Sequence, residues 1–156
     1  MNQVVTISRA FHFYAARRLT SPLASASCRS LHGATFLVKV TVSGILDKVG
    51  MVLDFGRLDK IVTPLLPDHT CLVSRHDTEL WDAVRRLEHS RICLMDDETT
   101  TENIAAMLGR QLAEAVKAEA IPNIIEIRVA ICERENTNCA EVVAWQVADS
   151  DMVVGH

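Results

Sequence analysis

Two short stretches hold the residue types that proton-transfer or covalent chemistry needs. In "SCRSLHGATF" (27–36), Cys28 and His32 lie four residues apart at the mouth of a strand-like run. A thiol and an imidazole at that spacing fit a nucleophile with its partner, the remnant of a metal site, or an ordinary loop. In "PDHTCL" (67–72), Asp68 precedes His69. A carboxylate beside an imidazole can orient the ring and stabilise its charged form; the plain alternative is a helix-terminal turn. Cys28 becomes a base or nucleophile if its thiol pKa falls below about 8.5, and nearby cations promote that fall. Arg17, Arg18 and Arg29 lie close by in sequence to supply such a field.

The elements that must position these residues follow from residue pattern. "VVTISRAFHFYAARR" (4–18) is rich in β-branched and aromatic residues with rough alternation and predicts a strand. The polar "TSPLASASCRS" predicts a loop, and "TFLVKVTVSG" a second strand ending at Gly44. "MVLDFGRLDKIVTPLL" predicts an extended entry, then a helix capped by Asp54 with Leu58, Ile61, Val62 and Leu65 on one face, ended or bent by Pro64. "TELWDAVRRLEHS" is amphipathic through Leu80, Trp81, Val84 and Leu87, a stripe for core or oligomer contact, and "RICLM" is a short strand-like run. The clearest helix is "TTENIAAMLGRQLAEAVKAE", with a Thr cap, Glu102 in its first turn, and Ile104, Met107, Leu108 and Leu112 as its apolar stripe. Two strands close the chain, "IIEIRVAIC" and "CAEVVAWQV", joined by the turn "ERENTN". Hairpins flanking a helical block imply an α+β domain with an antiparallel sheet.

Composition bounds the function classes. The 156 residues, 49% of them hydrophobic, suffice for one cored domain spanning 1–156. No apolar run approaches the ~20 residues of a membrane span, and a net charge of −4 gives no support to nucleic-acid binding. Residues 1–46 contain no acid, only Arg9, Arg17, Arg18, Arg29 and Lys39, whereas the remainder carries all 20 acids. That basic segment matches a transit peptide in composition but a strand in pattern; it equally suits a site for an anionic small molecule. Five cysteines without C-x-x-C spacing do not read as a disulfide framework or zinc ribbon. Cys71, Cys93, Cys132 and Cys139 are therefore expected in the core or incidental, and the compartment a reducing cytoplasm.

Six stretches in order carry a resemblance: "FYAARRL" (13–19), "CRSLHGATFLVKVTVSG" (28–44), "GMVLDFGRL" (50–58), "PDHTCL" (67–72), "TTENIA" (100–105) and "VAICE" (129–133). Together they resemble the 6-pyruvoyltetrahydropterin synthase and 6-carboxytetrahydropterin synthase family. The resemblance implies the tunnelling fold: a four-stranded antiparallel sheet with helices packed on one face, oligomerising into a barrel with active sites between subunits. It implies removal of a phosphate or two-carbon fragment, with redox-neutral rearrangement, from dihydroneopterin triphosphate. On this pattern Cys28 is the proton-accepting cysteine, Asp68 and His69 the assisting pair, and Glu133 the carboxylate that grips the guanidine-like edge of the pterin; Thr101 and Glu102 match the start of the long helix. The family's three zinc-ligand histidines correspond here to Arg17, His32 and Ala34. One imidazole of three does not hold a catalytic zinc, and His12, an odd number of residues from Arg17, faces the other side of the strand.

The resulting expectation is a zinc-independent lyase or cyclase without a cofactor, acting on a pterin-like or anionic small molecule through Cys28, Asp68 and His69. Glu133, Arg17, His32, Thr101 and Glu102 would bind substrate. Arg17 reads either as a solvated or paired arginine at a lost ligand position or as a fixed cation replacing the charge of the metal. The competing reading is a non-catalytic ligand-binding or partner-subunit protein. The segment from about 73 to 99, longer than in compact family members, is expected to reshape the pocket.

Overall fold

The computed structural model describes residues 3–134 and 137–147. A long hairpin forms its centre. Strand β1 (Val4–Arg17) pairs antiparallel with β2 (His32–Ile45) along its whole length, from Val4 opposite Ile45 to Arg17 opposite His32. Alternation sends Phe13, Ala15 and Arg17 to one face with Phe36, Val38, Val40 and Val42 from β2. Strand β5 (Ile124–Glu133) adds antiparallel to β2, and β6 (Asn138–Gln146) to β5. Gly44 sits at a register shift where a Cβ would lie 2.4 Å from the Asn123 carbonyl oxygen, so no side chain fits there.

Helices cover one face. Helix α2 (Phe55–Val62) starts at Asp54, whose carboxylate accepts from the Arg57 N–H at 2.9 Å, and Thr63–Leu65 continues it as one 3₁₀ turn containing Pro64. The long helix α4 (Thr101–Glu119) starts at Thr100, which caps the Asn103 N–H. Its Ile104, Leu108, Leu112 and Val116 join Leu58 of α2 and the inward residues of β1, β2 and β5 in one core. Two short helices complete the set among the described residues, α1 (Ala26–Arg29) inside the stretch expected as loop, and α3 (Thr78–Val84).

The α+β architecture holds, but among the described residues the sheet has six strands rather than four, in the order β4-β3-β1-β2-β5-β6. The additional pair is β3 (Thr70–Ser74) and β4 (Ile92–Met95), parallel to β1 and to each other and connected through α3. Strand β3 is five residues long and lacks alternation because its last three residues are buried whichever way they point. Of the expected stripe, Leu80 and Val84 of α3 are buried in the core, whereas Trp81, and Leu87 beyond the end of α3, are exposed.

The cysteines depart from expectation too. Cys132 and Cys139, directly opposed on β5 and β6, form a disulfide, leaving Cys28, Cys71 and Cys93 free. Strand pairing brings two cysteines seven residues apart into register, which no sequence spacing rule flags. The turn expected at 133–138 lies partly outside the described residues. Among the described residues no helix is long and apolar enough to cross a membrane.

Candidate functional site

The residues expected at the site gather at one end of the sheet because the pairing registers put them there. Arg17 ends β1 opposite His32, Ala34 lies opposite Ala15, and Glu133 ends β5 opposite Phe36. All project to the helix-covered face. Arg17 reaches across β2, its guanidinium carbon 5.3 Å from the centre of the Phe36 ring, to donate from Nη2 to Glu133 Oε1. Its Nη1 donates to the Thr99 carbonyl at 2.5 Å. Thr101, brought in by the start of α4, donates its hydroxyl to the same Glu133 oxygen at 3.0 Å. The pair is nearly dry, with side-chain exposures of 7% and 15%. Burial pulls the Arg17 pKa below its ordinary value, offset by Cys28 and Glu102 nearby, and arginine stays charged regardless.

Above this pair opens a cleft of about 1150 Å³, lined among others by Arg17, Cys28, His32, Glu133 and Arg134. Cys28 belongs to α1, which is tied to the end of β1 by the Leu19 N–H donating to the Cys28 carbonyl at 2.8 Å. His32 Nδ1 lies 2.7 Å from the Ser30 carbonyl; a carbonyl only accepts, so Nδ1 carries the proton. Glu102 is exposed at the first turn of α4 and does not line the cleft.

Asp68 and His69 form a turn between the Thr63–Leu65 3₁₀ turn and β3. Tyr14 of β1 holds them from both sides: its N–H donates to Asp68 Oδ1 at 2.9 Å, and its carbonyl accepts the His69 N–H at 2.7 Å. His69 adopts a left-handed φ of 54°, and its Nδ1–H donates to Asp68 Oδ2 at 2.8 Å. The Tyr14 N–H, then His69, hold the Asp68 carboxyl below the usual carboxylate range. His69 is 71% exposed and lines a separate cleft of about 380 Å³ that shares Tyr14, Gly33, Ala34 and Thr35 with the first. Within one chain, Cys28 and His69 therefore line different, adjoining clefts.

The donor set at the three zinc positions is a guanidinium without a lone pair, one imidazole whose Nδ1–H is engaged, and a methyl group. It does not fit a zinc ion, and no group of three His, Cys, Asp or Glu side chains converges among the described residues. Arg17 also does not stand alone in place of the metal: it is neutralised by Glu133. Nor is Arg18 free to act on Cys28, since Asp77 binds it through two bonds of 2.7 Å and Glu79 through a third. The 73–99 segment does not line the large cleft; it supplies Thr99 to Arg17 and the acids to Arg18. Sequence reasoning missed Thr99, whose role rests on a backbone carbonyl, and Phe36, an ordinary core residue by pattern. Arg134 was legible only as a charge beside Glu133.

Comparison with known proteins agrees with this architecture. The family model described as 6-pyruvoyl tetrahydropterin synthase matches residues 6–144. A provisionally described 6-carboxy-5,6,7,8-tetrahydropterin synthase of Pyrococcus abyssi is 30% identical over 115 residues, covering 68% of this chain and 70% of that protein. The 6-carboxy-5,6,7,8-tetrahydropterin synthase of Rickettsia felis is 27% identical over 89 residues, 54% of this chain and 64% of its own length. The structure of 6-pyruvoyl tetrahydropterin synthase from Plasmodium vivax superposes with a TM-score of 0.74 at 17% identity, covering 94% of this chain and all of that one, which shows the shared tunnelling fold. The chain belongs to the 6-pyruvoyl tetrahydropterin synthase family.

Proposed function

We propose that this chain is a lyase or cyclase of the pterin-synthase type that works without zinc, with Cys28 and the Asp68–His69 pair exchanging a substrate proton. The observation that supports this best is the state of His69. The ring is oriented by Asp68, which is itself fixed by the Tyr14 backbone, yet it is presented to solvent and not to the core of its own chain. A histidine kept for packing would be covered. Holding a non-glycine residue at positive φ costs energy, and here it buys an oriented, accessible acid–base group.

Cys28 and His69 line different, adjoining clefts of one chain, and in this reading the pair acts on the Cys28 cleft of a neighbouring copy in a homo-oligomer. Incubation with dihydroneopterin triphosphate and with its analogue carrying a carbonyl oxygen in place of the ring amino group, with products separated by chromatography, tests it. Cys28→Ala and His69→Ala should each lower turnover by at least ~10²-fold, the low end for a general acid–base group. Co-expressed as mixed oligomers, the two variants should recover part of the activity, because one interface in the mixture keeps both intact groups. Single variants that retain turnover, or a mixture no better than its parts, would sink the reading. The alternative, a non-catalytic ligand-binding relative, draws support from the occupied carboxylate of Glu133.

A further inference from the structure

Arg17 and Glu133 meet where the polar edge of a ligand in the large cleft would be read. Glu133 Oε1 takes both the Arg17 guanidinium and the Thr101 hydroxyl. A guanidine-like edge binds a carboxylate through two parallel N–H donors, one to each oxygen. With one oxygen doubly engaged and a fixed cation already present, Glu133 lacks both the open fork and the uncompensated charge that such an edge needs. Arg17 is in the opposite state. Of its five N–H donors, one goes to Glu133 and one to Thr99, and its buried Nε–H has no partner among the described residues. The residues lining the cleft tilt the same way: Arg17 and Arg134 are matched by one carboxylate, Glu133.

We infer that Arg17 is the specificity-determining residue of this cleft. Being itself the guanidine edge that Glu133 complements, it excludes ligands with that edge and selects polar small molecules whose inner edge carries oxygen acceptors or negative charge. The inference rests on this cleft being the ligand site, as proposed above, and narrows the class of ligand. Leaving one member of a buried ion pair alone is strongly unfavourable, so a competing guanidine-like edge cannot displace Arg17 cheaply.

Two fluorescent bicyclic rings of the same shape separate the possibilities. Pterin presents an amino-substituted, guanidine-like edge; lumazine has a carbonyl oxygen in place of that amino group. In fluorescence titrations of the full-length protein, lumazine should bind at least about tenfold tighter than pterin. Arg17→Met, which keeps the chain length but removes the cation, should raise pterin affinity by about tenfold or more. Adding Glu133→Gln to that variant should abolish the gain, and the double variant, with neither buried charge, also guards against misfolding of the single one. Pterin bound by the unmodified protein as tightly as lumazine, or Arg17→Met with no gain for pterin, would overturn the inference. A pterin preference together with recovered turnover in the mixed Cys28 and His69 oligomers would overturn this inference alone and leave the catalytic reading standing.

Discussion

Arg17 and Arg18 are neighbours in sequence, yet they end on different acids with different physical consequences. Arg17 is buried with Glu133 at the floor of the cleft, whereas Arg18 stays partly exposed and binds Asp77 at the start of α3. Asp77 also caps α3 by accepting the Leu80 N–H at 3.0 Å. Its carboxyl is held below the usual range, chiefly by Arg18. A carboxyl whose folded pKa lies below its unfolded one stabilises the fold above the unfolded value and loses that contribution as pH falls through the folded one. Asp77→Asn keeps a cap but discards the charge. It should be less stable than the unmodified protein by about 1 kcal/mol at neutral pH, a figure limited by solvent screening at Arg18. The difference should shrink below about pH 4, as urea unfolding at several pH values would record; a difference independent of pH would refute the assignment. At this scale the identities of Cys28, Asp68, His69, Glu133 and Thr101 as candidates were legible in the sequence. Which partner Arg17 takes was not, because Glu133 is 116 residues away and meets it only through β2.

The elements that position the site were legible to the degree that they obey one period. Helix α4 shows its cap and its apolar stripe in sequence, and β1 and β2 alternate over long runs. Short elements covered on more than one side, such as β3, carry no such signature. Glycine positions test the register that aligns Arg17, His32 and Glu133. Gly44→Ala would press a methyl against the Asn123 backbone, whose side-chain Nδ2 also donates to the Ile45 and Val52 carbonyls at 2.7 Å. Backbone cannot yield as a side chain can, so a loss of roughly 1–3 kcal/mol is expected. Gly33→Ala, with nothing within 4 Å of the added carbon, should stay within about 0.5 kcal/mol. Equal effects of the two substitutions in denaturant titrations would show that the register is described wrongly.

Over the whole molecule, packing divides into a large core between the helices and the sheet and a small satellite of Val73, Leu80 and Val84 around α3. Local opening is cheapest where few apolar contacts must be broken. Amide exchange should therefore be faster in α3 and β4 than in β1, β2 and β5, and uniform protection across the sheet would contradict the division. The acid-free character of residues 1–46 also acquires a meaning at this scale. Arg9 pairs with Asp59, Arg17 with Glu133 and Arg18 with Asp77 and Glu79, so most of those arginines serve to join the first hairpin to later, acidic parts of the chain. The sequence by itself determined the local periods, the helix caps, the α+β class and the candidate residues, since each depends on neighbours within a few positions. Tertiary structure alone decided strand β3, the place of the strand-like "RICLM" run in the sheet as β4, the Cys132–Cys139 link, the placing of Cys28 and His69 in different clefts and the engagement of Glu133 by Arg17. Those outcomes depend on strand order and register, which bring together residues distant along the chain and are set by the burial of the whole apolar face at once.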